Sequence, residues 1–161
     1  MNTIDENELK VRRMMRSDID TVLALDRKIG SGQSTISYRD LVVTDPGGPL
    51  DFSFVCEYRT AVVGFILARL EYLGIPLIGT CVIDGIAVDP DYQKHGIGSK
   101  LVSNVMDRCY AEGVPRARAL IDEEDTDLAR MFLRLNFKPS KIINYDATFD
   151  YMPSQTGTRQ W

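Results

Sequence analysis

With one histidine, His95, and three cysteines, the sequence has too few imidazole and thiolate ligands for the metal sites that small proteins usually build. Cys56, Cys81 and Cys109 are odd in number and widely spaced, and each sits inside an apolar segment. They read as buried, reduced thiols rather than as disulfide partners, and no metal is expected. Long hydrophobic runs are missing too. The longest nearly apolar stretch, 72–83, is too short for a bilayer and is interrupted by Gly74, Pro76 and Gly79. The opening MNTIDENELK lacks the basic start and apolar run of a secretory signal, so the expectation is a cytoplasmic protein with no membrane partner. Positive charge is in deficit as well: 23 acidic residues against 19 basic leave a formal net charge of −4. A broad grip on nucleic acid is therefore not expected, and cationic partners are favoured.

What is present fits one compact domain, because 161 residues with 44% hydrophobic content can bury roughly 70% of the unfolded surface. Residues 1–8 are expected to be disordered and 153–161 to form a polar tail. Between them the patterning predicts a strand over 9–14, with Lys10, Arg12 and Arg13 on a solvated face, and a helix from Ser17 to Gly30. A polar loop and a short helix over 37–43 follow, then a hairpin of 52–58 and 61–72 turning at Arg59-Thr60. Gly64 reads as a packing or bulge glycine. A long strand over 77–88, a fifth strand over 117–121, and a helix carrying Leu128, Phe132 and Leu135 on one face complete the pattern. Residues 137–149 look β-like, broken by Pro139. The acidic run 122–127 reads either as helix capping by Asp125 and Asp127 or as a funnel for a cation. No internal repeat is evident.

The chain is organised around Val82 to Met106. The β-branched run Val82, Ile83, Ile86, Ala87 and Val88 closes at Asp89-Pro90, and from Gly98 the apolar period becomes helical through Leu101, Val102, Val105, Met106 and Cys109. Gln93 to Gly98 join the two tightly. The first N–H groups of a helix have no internal acceptor and lie at the positive end of its dipole, so this junction is a candidate anion site. A dinucleotide loop would need glycine at Leu101, and a nucleotide-triphosphate loop would need one at Asp91 or Gln93; neither fits.

The pattern Q-x-x-G-x-G, after a strand ending I-A-V-D-P and before an amphipathic helix, resembles the acyl-CoA signature of the GNAT N-acetyltransferase superfamily. The element order matches over roughly residues 9–150. The resemblance implies an α/β (α+β) fold: a mixed, mostly antiparallel central sheet with helices on both faces, residues 9–152 forming an acyl-CoA N-acyltransferase domain. It implies acetyl-CoA as co-substrate, with the backbone of Ile86, Ala87 and Val88 pairing with the pantetheine arm and Gln93, Lys94, His95, Gly96, Ile97, Gly98 and Ser99 wrapping the pyrophosphate. Gly85 suits a bulge that makes room for that arm. Downstream, Asp125 stands where the family often has a cofactor-contacting asparagine, Phe132 where it has a tyrosine, and Asn136 where it has glycine. Gln33, Tyr38 and Arg39 fall in the region that contributes to family acceptor sites, and relatives that dimerise make a homodimer an open option.

Acetyl transfer to an amine needs the neutral amine. A lysine amine with pKa near ~10.4 is neutral in well under ~1% of molecules at pH 7, and an α-amine near ~8 in roughly a tenth, so a base helps. Asp84, a charge in an otherwise apolar strand and by simple alternation on the side of Ile86 and Val88, is the candidate base. The N–H of Ile86 or Val88 is the candidate oxyanion donor. Phe132 has no proton for the leaving sulfur, and Tyr145 or a water is the candidate replacement. The expected activity is direct acetyl transfer to a primary amine, with a peptide or protein amine slightly favoured over a polyamine or small amine. The alternative is a non-catalytic acyl-CoA-binding sensor.

Overall fold

The computed structural model describes residues 4–30, 49–73 and 78–147. The expected helix over 37–43, with Gln33, Tyr38 and Arg39, and the polar tail lie outside the described residues. Five strands form one sheet in sequential order: β1 (Leu9–Arg13), β2 (Phe54–Tyr58), β3 (Ala61–Leu73), β4 (Ile78–Val88) and β5 (Ala117–Ala119). The first four are antiparallel, and β5 lies parallel to β4. Helices α1 (Ile19–Ile29), α2 (Pro49–Phe52), α3 (Ile97–Ala111) and α4 (Thr126–Arg134) accompany it. The mixed, mostly antiparallel sheet matches the expectation. Among the described residues no strand follows α4: 137–147 form neither helix nor strand.

Strand alternation sends side chains to two cores. Val55, Phe65 and Leu67 pack with Ile19, Val22 and Leu25 of α1. Phe54, Ile66, Ala68, Cys81 and Ile83 face Ile97, Leu101, Val102 and Val105 of α3, with Phe132 of α4. The three cysteines are buried and free, as their apolar settings suggested. Gly64 proves to be both packing and bulge glycine. A Cβ there would lie 3.1 Å from the Ala87 carbonyl oxygen and 3.2 Å from Ile97 Cγ2, and the register of β2 on β3 shifts beside it.

Two stretches depart from expectation. Within the N-terminal residues read as disordered, Ile4 is buried and Glu6–Glu8 form a 3-10 turn whose Asp5 cap accepts the Asn7 N–H. Arg12 is not solvated: its guanidinium bridges Asp18 at 2.7 Å and Glu57 at 2.6 Å. Asp18 also accepts the Met15 N–H at 2.7 Å, so one carboxylate starts the α1 region and ties it to β1 and β2.

The Arg12 hydrogen bonds hold the Asp18 carboxyl below its ordinary pKa. Its contribution to stability is thus present above the ordinary carboxylate pKa of about 3.9 and is lost as pH falls through the lower folded value. Asp18→Ala is expected to cost about 2 kcal/mol in urea denaturation at pH 7. The gap from wild type should narrow below about pH 4; a gap independent of pH would contradict the pairing.

Candidate active site

β4 carries one residue more than its partner. Leu67 pairs with Gly85 and Ala68 with Ile83, so Asp84 has no opposite number on β3. The bulge reverses the alternation. Before it Cys81 and Ile83 face α3; beyond it Ile86 and Val88 do, while Ala87 packs on the α1 side. Asp84 therefore does not share the face of Ile86 and Val88, as simple alternation suggested. It lies with Arg69 on the α1 side, Oδ1 being 3.3 Å from Arg69 Nη2, while Arg69 Nε donates to Glu71 at 2.6 Å. Partial burial raises the Asp84 pKa; Arg69 opposes the rise and Glu71 adds to it.

The same bulge ends the pairing with β5, whose ladder covers Cys81 to Ile83 only. Beyond it one edge of β4 has no strand neighbour among the described residues. The Asp89 N–H donates to the Val63 carbonyl at 2.8 Å, which fixes the phase of the ladder: Ala87 and Asp89 bond toward β3, and Ile86 and Val88 direct their N–H and C=O groups to the open edge. Gln93 Nε2 donates to the Val88 carbonyl at 3.0 Å across that edge. Asp89 itself accepts from Lys28 of α1 at 2.7 Å and from the Asp91 N–H at 3.1 Å, pinning the end of the strand.

The open edge runs into the start of α3. Gly96 caps the helix with φ +72 and no side-chain acceptor, and the first turn contains no acidic residue. The N–H groups of Ile97, Gly98 and Ser99 thus precede the first intrahelical bond, which Lys100 makes to the Gly96 carbonyl at 3.0 Å. Gly98 serves a different purpose. A Cβ there would meet Met131 Sδ at 3.0 Å, so the glycine lets α3 approach α4.

These features enclose a cavity of about 450 Å³ lined by Ile86, Ala87, Val88, Gln93, Lys94, Gly96, Ile97, Gly98 and Ser99. Most of the sequence candidates for cofactor contact are thereby brought together. His95, Asp125 and Phe132 are not in the lining. Asp125 caps α4 by accepting the Leu128 N–H at 3.0 Å, and Phe132, only 3% exposed, packs edge-on against Phe137 at 4.9 Å. Tyr145 is 90% exposed in a stretch with no ladder to hold it against the sheet, and it does not line this cavity. Sequence reasoning missed Tyr92 and the wall from α4: Asp127, Leu128, Arg130, Met131 and Arg134. The signal was their one-face spacing on that helix.

Such a site offers an exposed strand edge for an extended ligand, backbone donors for a phosphate at one end, and a carboxylate at the other. The model of the Acetyltransferase (GNAT) family matches residues 23–137, and the chain belongs to that family. An uncharacterized N-acetyltransferase of Methanocaldococcus jannaschii is 24% identical over 144 residues, 83% of this chain. The chain spans 62% of that relative's length. Among solved structures, an aminoglycoside acetyltransferase from an uncultured soil metagenomic sample superposes with a TM-score of 0.70 at 19% identity, covering 89% of this chain and 98% of that one. A ribosomal-protein-alanine N-acetyltransferase from Brucella melitensis biovar Abortus 2308 gives 0.69 at 12% identity, covering 88% and 99%. These likenesses establish the fold. Asn136, at the family's glycine position, has φ +66, as a residue tolerant of left-handed backbone should.

Gly96 and Gly98 are expected to respond differently to substitution. Gly96→Ala forces a side chain into the left-handed region and should cost about 1 kcal/mol, whereas Gly98→Ala displaces only the movable end of Met131 and should cost less. Denaturant melts of both variants provide the check; equal losses would contradict the distinction.

Proposed function

We propose that this chain transfers an acetyl group from acetyl-CoA directly to a primary amine. The observation that carries the reading is the bulge at Asp84, which leaves the Ile86 and Val88 edge free and puts a carboxylate two residues, about 7 Å, along the same strand. The backbone at Ile86 and Val88 holds the pantetheine arm as an added strand, and the N–H groups at the start of α3 take the pyrophosphate. Gly96 leaves open space, with no atom within 4 Å of where its Cβ would be, and this suits close approach of a phosphate to the backbone. Asp84 accepts a proton from the bound ammonium, directly or through water, to give the neutral amine that attacks, and its raised pKa suits that exchange. The neutral amine nitrogen bonds to the carbonyl carbon, the carbon–sulfur bond breaks, and the proton that the nitrogen then sheds passes through water to the departing thiolate. An Ile86 or Val88 N–H donates to the carbonyl oxygen. Loss of a tyrosine acid is tolerable: with a thiol pKa near ~8.5, expelling the thiolate at pH 7 disfavours the step by only about 2 kcal/mol.

The acceptor is a cationic amine, with a peptide or protein amine slightly favoured. The solved neighbours include enzymes named for aminoglycosides and for a ribosomal-protein alanine, and both kinds of acceptor are amines. A cytoplasmic setting is consistent with three free thiols, and among the described residues no helix is long and apolar enough to cross a membrane.

The test is release of CoA thiol from acetyl-CoA over free-N-terminus peptides, lysine peptides, polyamines and small amines. One amine class should drive release. Asp84→Asn should lower turnover by about 100-fold or more while keeping cofactor affinity. Because the Asp84 pKa is raised on folding, its stabilising contribution is complete at low pH and is lost as pH rises through the folded value. The Asn variant should therefore melt no lower than wild type at pH 7. Tight cofactor binding without release on any amine would favour the sensor reading.

A further inference from the structure

Arg69 divides one edge of its guanidinium between two carboxylates. Nε donates to Glu71 Oε1 at 2.6 Å, while Nη2 stands 3.3 Å from Asp84 Oδ1, longer than a charge-assisted hydrogen bond. Nε and Nη2 are a pair of donors with which a guanidinium grips a single carboxylate. Glu71 takes the inner donor, and Asp84 is left with a loose contact on the outer one. The register explains the arrangement. Leu67 packs on the α1 side of β3, so Arg69 and Glu71, further along the strand at the same parity, share that face opposite Val82 and Thr80. Asp84 follows Val82 on the same face of β4. No other cation closes on it. Arg118 of β5, opposite Val82, shares the face because Ala117 and Ala119 pack on the α3 side, and α1 brings Asp20, Asp26, Arg27 and Lys28. Among the described residues none of these makes an ion pair with Asp84, and Lys28 is engaged by Asp89.

We infer that Glu71 is a positioning residue for acetyl transfer: by holding Nε of Arg69, it keeps the guanidinium from closing on Asp84 and preserves that carboxylate as a proton acceptor. The inference rests on the role proposed above for Asp84. An arginine gripping Asp84 with both donors would stabilise the carboxylate and make it a weak base. With no arginine nearby, partial burial would hold the proton on Asp84 to higher pH and take it out of use. Arg69 tethered by Glu71 lies between these extremes, and the two residues act on the Asp84 proton in opposite senses. Stability gives the Arg69–Glu71 pair little reason to exist. Its side chains are 46% and 32% exposed, a setting in which an ion pair adds little to folding.

The experiment is the pH dependence of kcat for CoA-thiol release, with the amine that drives release in wild type, measured in Glu71→Gln, Arg69→Gln and the double variant. The limb that belongs to Asp84 is the one Asp84→Asn removes. Glu71→Gln should move that limb to lower pH by about half a pH unit or more and lower the plateau about threefold, because a weaker base accepts the proton less readily. Arg69→Gln should move it the other way, to higher pH. Once Arg69 is gone, Glu71→Gln should have little further effect, since the arginine through which it acts is missing. An unmoved limb in Glu71→Gln, a shift of the same sign in both single variants, or an undiminished effect of Glu71→Gln without Arg69 would overturn the inference and leave Asp84 as the base. Wild-type turnover in Asp84→Asn would overturn it together with that base, and no release on any amine would overturn it together with the acetyl-transfer reading.

Discussion

A single unpaired residue on a central strand, Asp84, couples three properties that the site needs. By adding one position to β4 against β3, it ends the parallel ladder with β5 at Ile83. It also turns Ile86 and Val88 so that their side chains pack on α3, while their backbone groups point to the open edge. The residue that makes the bulge is itself a carboxylate whose proton affinity is set by partial burial, Arg69 and Glu71. Open edge, side-chain phase and the proposed base therefore depend on one register shift, and removing the extra residue would change all three together.

The surroundings keep that strand end in place. Gly64 brings β3 close enough for Ile97 to pack across it, and Asp89 links the end of β4 to β3 through its N–H and to α1 through Lys28. On the far side of the sheet, Arg12 joins Asp18 and Glu57, so the start of α1 is held to two strands at once. An edge left without a strand neighbour is a liability in a sheet. Here the loop and α4 flank it, and Gln93 crosses it to the Val88 carbonyl.

Much of the architecture could be read from periodicity. The β-branched run before Asp89-Pro90 and the helical spacing after Gly98 place β4 and α3 within a residue or two of where they lie. The strand-to-helix junction at Gln93 to Gly98 was legible too, although glycine spacing there serves an ordinary turn as well as an anion site, and it was the whole Q-x-x-G-x-G pattern that pointed to a cofactor. What escaped was whatever depended on a register shift or on contacts distant in sequence. Gly85 suggested a bulge, but alternation still put Asp84 on the wrong face, since a bulge inverts parity without leaving a mark in the hydrophobic pattern. Arg12 looked like one of several strand cations, and its acceptors lie 6 and 45 residues away. Arg130 and Arg134 drew no reading from the sequence, because only the fold places their helix face in the cavity beside the loop. Phe132 was assigned by position in a family pattern, and Tyr145 was offered only as a replacement for the proton Phe132 lacks; the first packs in the core and the second stands in solvent.

The central claim is that the β4 edge beyond Asp84 is free to accept an extended ligand. Residue-resolved amide hydrogen exchange of Ile86, Ala87, Val88 and Asp89, with and without acetyl-CoA, tests it most directly. The account predicts fast exchange at Ile86 and Val88 in the free protein, slow exchange at Ala87 and Asp89, and strong protection of Ile86 and Val88 once acetyl-CoA is bound. Protection of Ile86 and Val88 in the free protein, or no change at these two amides under saturating acetyl-CoA, would contradict it.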